Sequence, residues 1–142
     1  MSKEAALAQI GAVAATVPRE QVIDSIRAFL GSYPARSSAD IDRRTALFAE
    51  QVVFEDPVGA APLVGTAALR QFFEGAVAAG WIIHMAPRRI VVCGNEAVSL
   101  TAARWGLAGE TPAEVEIVHT FAFDDAGRIT SLRVFFDAGT IS

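Results

Sequence analysis

The sequence predicts an α+β fold in which helices come first and a long antiparallel sheet follows. Three observations carry that expectation. Apolar residues recur at helical spacing in several segments of the first half, and from Trp81 onward the period changes to two. The strand-like runs are separated only by short turns, Cys93-Gly94-Asn95, Ala108-Gly109-Glu110 and Asp125-Ala126-Gly127. Such turns join antiparallel neighbours, not the parallel strands of βαβ units.

Each element has a local reason. Pro18 suits a first helical turn, and Val22, Ile26, Phe29, Leu30 and Tyr33 then form one apolar stripe that ends before Pro34. Ser38 is the expected N-cap of a second helix over 40–49, with Ile41, Thr45 and Phe48 inward. The β-branched run 52–56 reads as a strand stopped by Pro57 and Gly59. Thr66 is the expected cap of a third helix, lined by Leu69, Phe72, Phe73, Ala76 and Val77 and ended by Gly80. Strands are expected over 81–92, 96–107, 112–124 and 128–136. The alanine-rich residues 1–17 read either as an additional helix or as a tail, and Glu4, Gln9 and Gly11 fit a secretory leader poorly. No repeat, linker or low-complexity segment divides the 142 residues, so one domain over 1–142 is expected.

Composition narrows the function classes. A net charge of −4 and a pI near 5.1 leave no basic face for displacing counterions from nucleic acid. No apolar run approaches the length of a membrane helix. A single cysteine, Cys93, cannot form an internal disulfide, and with no sign of an oxidising compartment the expected location is the cytoplasm. Yet 52% of the residues are hydrophobic, only 20% are charged, and the mean hydropathy is +0.37. A small chain this apolar is expected to hide surface in a pocket, an oligomer interface, or both.

Strand parity selects the residues that can carry chemistry. Val115, Ile117, His119, Phe121 and Phe123 share the inward face of the third long strand. His119 on that face reads either as a core histidine satisfied by the backbone or as a functional group. Asp56 shares a face with Val52 and Phe54 while Glu55 points away. It reads either as a strand terminator or as a carboxylate whose pKa an apolar pocket raises, as a base working near neutral pH requires. His84 shares a face with Ile82, and that strand alone does not tell which face is inward. Two histidines without HxH, HxxE or CxxC spacing predict no metal site, and no phosphate loop or GxSxG elbow predicts a cofactor or a serine nucleophile.

Glu55-Asp56-Pro57-Val58-Gly59, followed by Gly65-Thr66-Ala67-Ala68-Leu69-Arg70-Gln71-Phe72-Phe73 and a closing hairpin around Asp124-Asp125-Ala126-Gly127, resembles the ketosteroid isomerase (steroid delta-isomerase) branch of the NTF2-like, SnoaL-like superfamily. The resemblance spans about 22–136. It implies an NTF2-like (cystatin-like) cone: a curved, mostly antiparallel sheet wrapped around an apolar cavity, closed by N-terminal helices and assembled as a homodimer. It further implies that Asp56 is the base that moves a proton next to a carbonyl, an enzyme type that is itself a familiar worked case of pKa tuning. The family's protonated acid falls on His119, and its oxyanion tyrosine falls near Phe29. Two supporting tyrosines fall on Phe48 and Phe73. Nine Phe stand against one Tyr, Tyr33, which lies one helical turn beyond Phe29 and is the chain's only phenol.

The reaction expected from the resemblance is therefore a proton-transfer isomerisation α to a carbonyl on an apolar small molecule, with Asp56 as base and His119 as oxyanion donor or acid. Phe29, Tyr33, Phe54, Phe73, Ile82, His84, Leu100, Ile117, Val134 and Phe136 are the expected substrate-binding residues. The alternatives are a dehydratase or polyketide-cyclase lyase using His84 with His119, a non-catalytic binder of a hydrophobic ligand, and a dimerisation module. What separates them is whether Asp56 and His119 meet in one apolar cavity.

Overall fold

Each change of hydrophobic period in the chain marks a change of element. The computed structural model describes residues 1–142. In order it contains helices α1 (Lys3–Gly11), α2 (Arg19–Gly31) and α3 (Ser38–Thr45), strands β1 (Phe48–Glu55) and β2 (Leu63–Val64), and helix α4 (Thr66–Ala78). The meander β3 (Trp81–Cys93), β4 (Glu96–Leu107), β5 (Ala113–Phe123) and β6 (Ile129–Phe135) follows, with a final 3-10 turn at Ala138–Thr140. No helix is long and apolar enough to cross a membrane.

The differences from expectation lie at caps and joints. Ser37, not Ser38, caps α3, accepting the Asp40 N–H at 3.2 Å. That helix ends at Thr45 rather than 49, because Phe48 leaves it to open β1 and packs its ring edge-on to Phe29, 5.7 Å between centroids. Thr66 is the first residue of α4 rather than its cap. The cap is Gly65, whose φ of 90° turns the chain out of the two-residue β2, an element too short to leave a periodic signal. Gly80 follows α4 at φ 86°, as a helix stop requires. Residues 1–17 do contain a helix, α1, but it buries no side chain.

The six strands are ordered β2-β1-β6-β5-β4-β3. All neighbours are antiparallel except β1 and β6, which run parallel. The register shifts in the β1–β6, β3–β4 and β5–β6 ladders, between Phe48 and Val53, Pro87 and Arg89, and Ala122 and Phe123; such irregularities ordinarily bend a strand. The concave side carries the core: Phe29, Phe54, Phe73 and Phe121 are among its largest fully buried side chains. The parity expected for β5 holds, with Val115, Ile117, His119, Phe121 and Phe123 all buried and Glu114 and Glu116 exposed.

Register also decides the two strands that parity alone left open. Ile83 pairs with Trp105, Met85 with Ala103, Ser99 with His119 and Thr101 with Ile117. Residues directly opposite share a face, so the odd-numbered residues of this stretch point inward. Ile82, His84 and Leu100 therefore lie on the convex face, and their expected place in the substrate cavity is corrected. Ile82 is 41% exposed and Leu100 42%. His84 sits opposite Arg104.

Candidate active site

β1 delivers its inward row, Val52 and Phe54, and the next inward position just past the strand is Asp56. The carboxylate has no ion-pair partner, and burial raises its pKa to about 6. An ionised carboxylate loses hydration there without gaining a cation, which favours the protonated form.

His119 reaches the same space from β5. It is 1% exposed, and its Nδ1 lies 3.1 Å from Thr101 Oγ1, which lies 3.0 Å from Ser99 Oγ. Burial pulls the imidazole down to about 4, so it is neutral near pH 7. Asp56 and His119 form no ion pair, their charged atoms lying more than 4.0 Å apart.

Proton accounting points to one tautomer of the ring. Ser99 is fully buried and Thr101 is its only side-chain partner, so the serine proton must go to Thr101 Oγ1. The threonine proton then goes to Nδ1. The neutral ring carries its own proton on Nε2, which has no partner in the protein and is not sealed from solvent. Reversing the chain would strand the serine proton in the core.

Tyr33 follows α2. Its hydroxyl has no protein partner, and burial raises its pKa, against a lowering by Arg44 and with a smaller rise from Asp56. The phenol thus feels both the Arg44 cation and the Asp56 carboxylate. Phe29, where the resemblance places an oxyanion phenol, is instead the hub of an aromatic cluster. Its ring stands edge-on to Tyr33 (5.5 Å), Phe48 (5.7 Å), Phe121 (6.0 Å) and His119 (6.1 Å).

Asp56, His119 and Tyr33 line a single cavity of about 570 Å³, with 14 of its 20 lining residues hydrophobic. That size suits a small organic ligand. Phe29, Phe54, Phe73, Ile117, Val134 and Phe136 also line it. Two other depressions, of about 490 and 620 Å³, are lined half or more by non-hydrophobic residues and contain neither Asp56 nor His119. No group of three or more His, Cys, Asp or Glu side chains has the arrangement of a metal site.

Several cavity residues escaped the sequence reading. Trp81, Ile83 and Met85 replace Ile82 and His84 as the β3 wall, a result that follows once β3 is registered on β4. Trp105 joins them, ring edge-on to Phe136 at 4.8 Å, with a buried Nε1–H that has no partner. Arg44 also reaches the wall: three residues after Ile41, it lies on the buried stripe of α3, while Arg43 lies off it.

Comparison with known proteins gives a consistent picture. Residues 26–132 match the SnoaL-like domain family. Over 94 residues, 66% of this chain and 74% of the relative, the sequence is 35% identical to the Steroid Delta-isomerase of Nocardioides simplex. Among solved structures, it is similar to the epoxide hydrolase/cyclase-like enzyme SalBIII, described for pyran ring formation in the polyether salinomycin. That match has a TM-score of 0.70 and 26% identity, and covers 87% of this chain and 93% of the other. It also shares its fold with RV0760c from Mycobacterium tuberculosis, solved with estradiol-17beta-hemisuccinate. Here the TM-score is 0.73 at 21% identity, over 86% of this chain and 98% of the other.

Proposed function

The chain belongs to the SnoaL-like domain family, with the NTF2-like fold, and from that premise we propose that it is a ketosteroid isomerase-like enzyme that shifts a proton α to a carbonyl on an apolar small molecule. The observation that carries this reading is the convergence of Asp56 and His119, 63 positions apart (119 − 56), on one apolar cavity of about 570 Å³. The 35% identity to a Steroid Delta-isomerase supports the reaction class.

In this reading an Asp56 carboxylate oxygen takes the proton from the carbon next to the carbonyl. The C–H electron pair becomes the C=C bond of an enolate, and charge moves onto the carbonyl oxygen. His119 Nε2–H and the Tyr33 hydroxyl donate to that oxygen. With a β,γ-unsaturated ketone the enolate is a dienolate, and Asp56 returns the proton to its γ carbon, moving the C=C bond into conjugation. His119 donates without giving its proton up, since a neutral imidazole would become imidazolate. One such donor is worth on the order of 3–4 kcal/mol in the transition state. Phe29, Phe48 and Phe73 supply none.

The lyase alternative loses its particular support, because His84 lies on the other face of the sheet from His119. The homodimer implied by the resemblance is proposed on the convex face. There exposed Val98, Leu100, Val118 and Phe135 lie near the ion pairs Arg88–Glu116 and Arg133–Glu55. A patch carrying both charge signs can meet its own copy across a twofold axis.

The decisive experiment is a screen of β,γ-unsaturated ketones, read by absorbance of the conjugated product, with wild type and Asp56→Asn in parallel. Wild type is expected to turn over at least one ketone, with kcat/KM rising through pH 6 as Asp56 ionises. Asp56→Asn should lose on the order of 100- to 10,000-fold, the usual contribution of a general base. Turnover that survives the substitution would remove Asp56 as the base. Tight binding of the ketones without turnover would leave a ligand-binding protein.

A further inference from the structure

The proposed reaction leaves one buried charge unused. Arg44 is 2% exposed and lines the cavity beside Tyr33. Its Nε donates to Ser32 Oγ at 2.7 Å and its Nη2 to the Ser32 carbonyl at 2.9 Å, while Nη1 donates to nothing in the protein. The guanidinium carbon lies 3.5 Å from the centre of the Tyr33 ring and 4.6 Å from that of Phe73. All of these partners are neutral.

No carboxylate lies within 4.0 Å of the guanidinium. The neighbouring acids of α3 are committed elsewhere. Asp40 is held by Arg43 and by the Arg36 N–H at 2.8 Å, and Asp42 pairs with Arg70 at 2.6 Å. A cation removed from water is costly unless it meets an opposite charge. The end of α2 offsets part of that cost through the Ser32 carbonyl, but a helix terminus carries only about half an elementary charge. The unpartnered Nη1 is not among the sealed polar atoms, and Arg44 is one of the residues that line the cavity.

We propose that Arg44 forms an anion subsite of this cavity, and that the natural substrate is an apolar molecule bearing one carboxylate, received by Nη1. A single carboxylate fits better than a phosphate ester. Only one cation faces the space, and the other lining residues are mostly hydrophobic. The inference deepens the proposed function by naming a substrate class, and it rests on the cavity being the ligand site.

The test uses two probes of one shape, 4-(1-naphthyl)butanoate and its primary amide, titrated into the full chain by calorimetry at pH 7.5. Wild type is expected to bind the acid at least about tenfold more tightly, the worth of one charged hydrogen bond. Arg44→Gln should bring the acid-to-amide ratio to about one. Arg44→Lys, which keeps the charge and loses the planar fork, should retain part of the preference. Equal binding of acid and amide by wild type overturns the proposal, with no variant needed should Arg44→Gln fail to fold. A preference that survives in folded Arg44→Gln overturns it as well. Failure here is separable from failure of the isomerase reading. Acid preference without ketone turnover leaves the subsite standing, and turnover that depends on Asp56 without acid preference leaves the base standing.

Discussion

The two faces of the sheet are built from the same strands and treat polar groups in opposite ways. Along β4 the inward row is Ala97, Ser99, Thr101 and Ala103, all buried, while Val98 and Leu100 face out and are exposed. On the convex face charged side chains pair with each other, as in Arg88–Glu116 at 3.0 Å and Arg133–Glu55 at 2.9 Å. Exposed pairs of that kind contribute at most about 1 kcal/mol. On the concave side the polar groups around His119 and Arg44 are buried at a cost. Ser99 and Thr101 are spent on His119, Arg44 is held by Ser32, and Asp56 has no partner. Titratable groups carried at a cost in an apolar cavity are what chemistry requires, which is why the concave face is read as the site.

The contrast should be largest in stability. Phe29 is fully buried at the centre of the aromatic cluster, so Phe29→Ala is expected to cost about 3–5 kcal/mol of unfolding free energy. Leu100→Asp, on the convex face, should leave the stability of the protomer within about 0.5 kcal/mol. For the dimer proposed on the convex face, its effect is expected in light scattering instead, as a mass falling to that of a 15.0 kDa protomer. Chemical denaturation of both variants checks the pair. A Leu100→Asp chain as unstable as Phe29→Ala would show that the convex face belongs to the core.

The faces also explain how far the residues alone could be read. β5 announces its inward row because that row is apolar and its other row is Glu114, Glu116 and Thr120, so His119 and its face were available from the pattern. β4 inverts the signal: its apolar residues Val98 and Leu100 face out, and the hydroxyls that hold His119 face in. Hydrophobicity therefore sent Leu100 to the wrong side. Only the pairing of Ser99 with His119 corrects it, and pairing is a long-range fact. Ile82 and His84 were misplaced for a related reason, since both rows of β3 begin with large apolar residues, Trp81 and Ile83 on one and Ile82 on the other. Asp56 and the general cone were reachable through the Glu55-Asp56-Pro57 resemblance. Arg44 was passed over because an arginine near a helix end is ordinarily a solvated charge, although its spacing from Ile41 places it on the buried stripe of α3.

A subtler contrast lies within the cavity, between its two titratable groups. Burial raises Asp56 from 3.8 to about 6 and lowers His119 from 6.5 to about 4. Between these values the folded state holds a proton on Asp56 that the unfolded chain has lost, so Asp56 makes stability fall as pH rises from about 4 to 6. His119 does the reverse: the unfolded chain gains a proton that the folded ring refuses, so stability falls as pH drops from 6.5 toward 4. Each effect is worth about 3 kcal/mol across its window, and in wild type they largely cancel. Asp56→Asn should unmask the histidine, gaining stability relative to wild type as pH rises and being the more stable protein at pH 7. His119→Gln should unmask the aspartate and gain relative to wild type as pH falls. Denaturation midpoints measured from pH 4 to 7.5 read both slopes. Parallel curves for the three proteins would mean that neither group is buried as described.

The smallest expected effect concerns the hydroxyls behind His119. Thr101→Val keeps the shape of the side chain and removes the proton that Nδ1 accepts, leaving Ser99 without a partner. The loss should cost about 1–3 kcal/mol of stability. If His119 only fills space, that is the whole consequence. If its Nε2–H is the donor aimed at the substrate oxygen, the ring is freed to carry its proton on Nδ1 instead, and kcat should fall about tenfold with little change in KM. Nitrogen NMR of the imidazole separates these outcomes without a substrate. Wild type should show an unprotonated Nδ1 and a protonated Nε2, and Thr101→Val a mixture of the two tautomers. A wild-type ring protonated on Nδ1 would reverse the direction of the whole Ser99–Thr101–His119 chain. The concave face would then present an acceptor where the proposed reaction needs a donor.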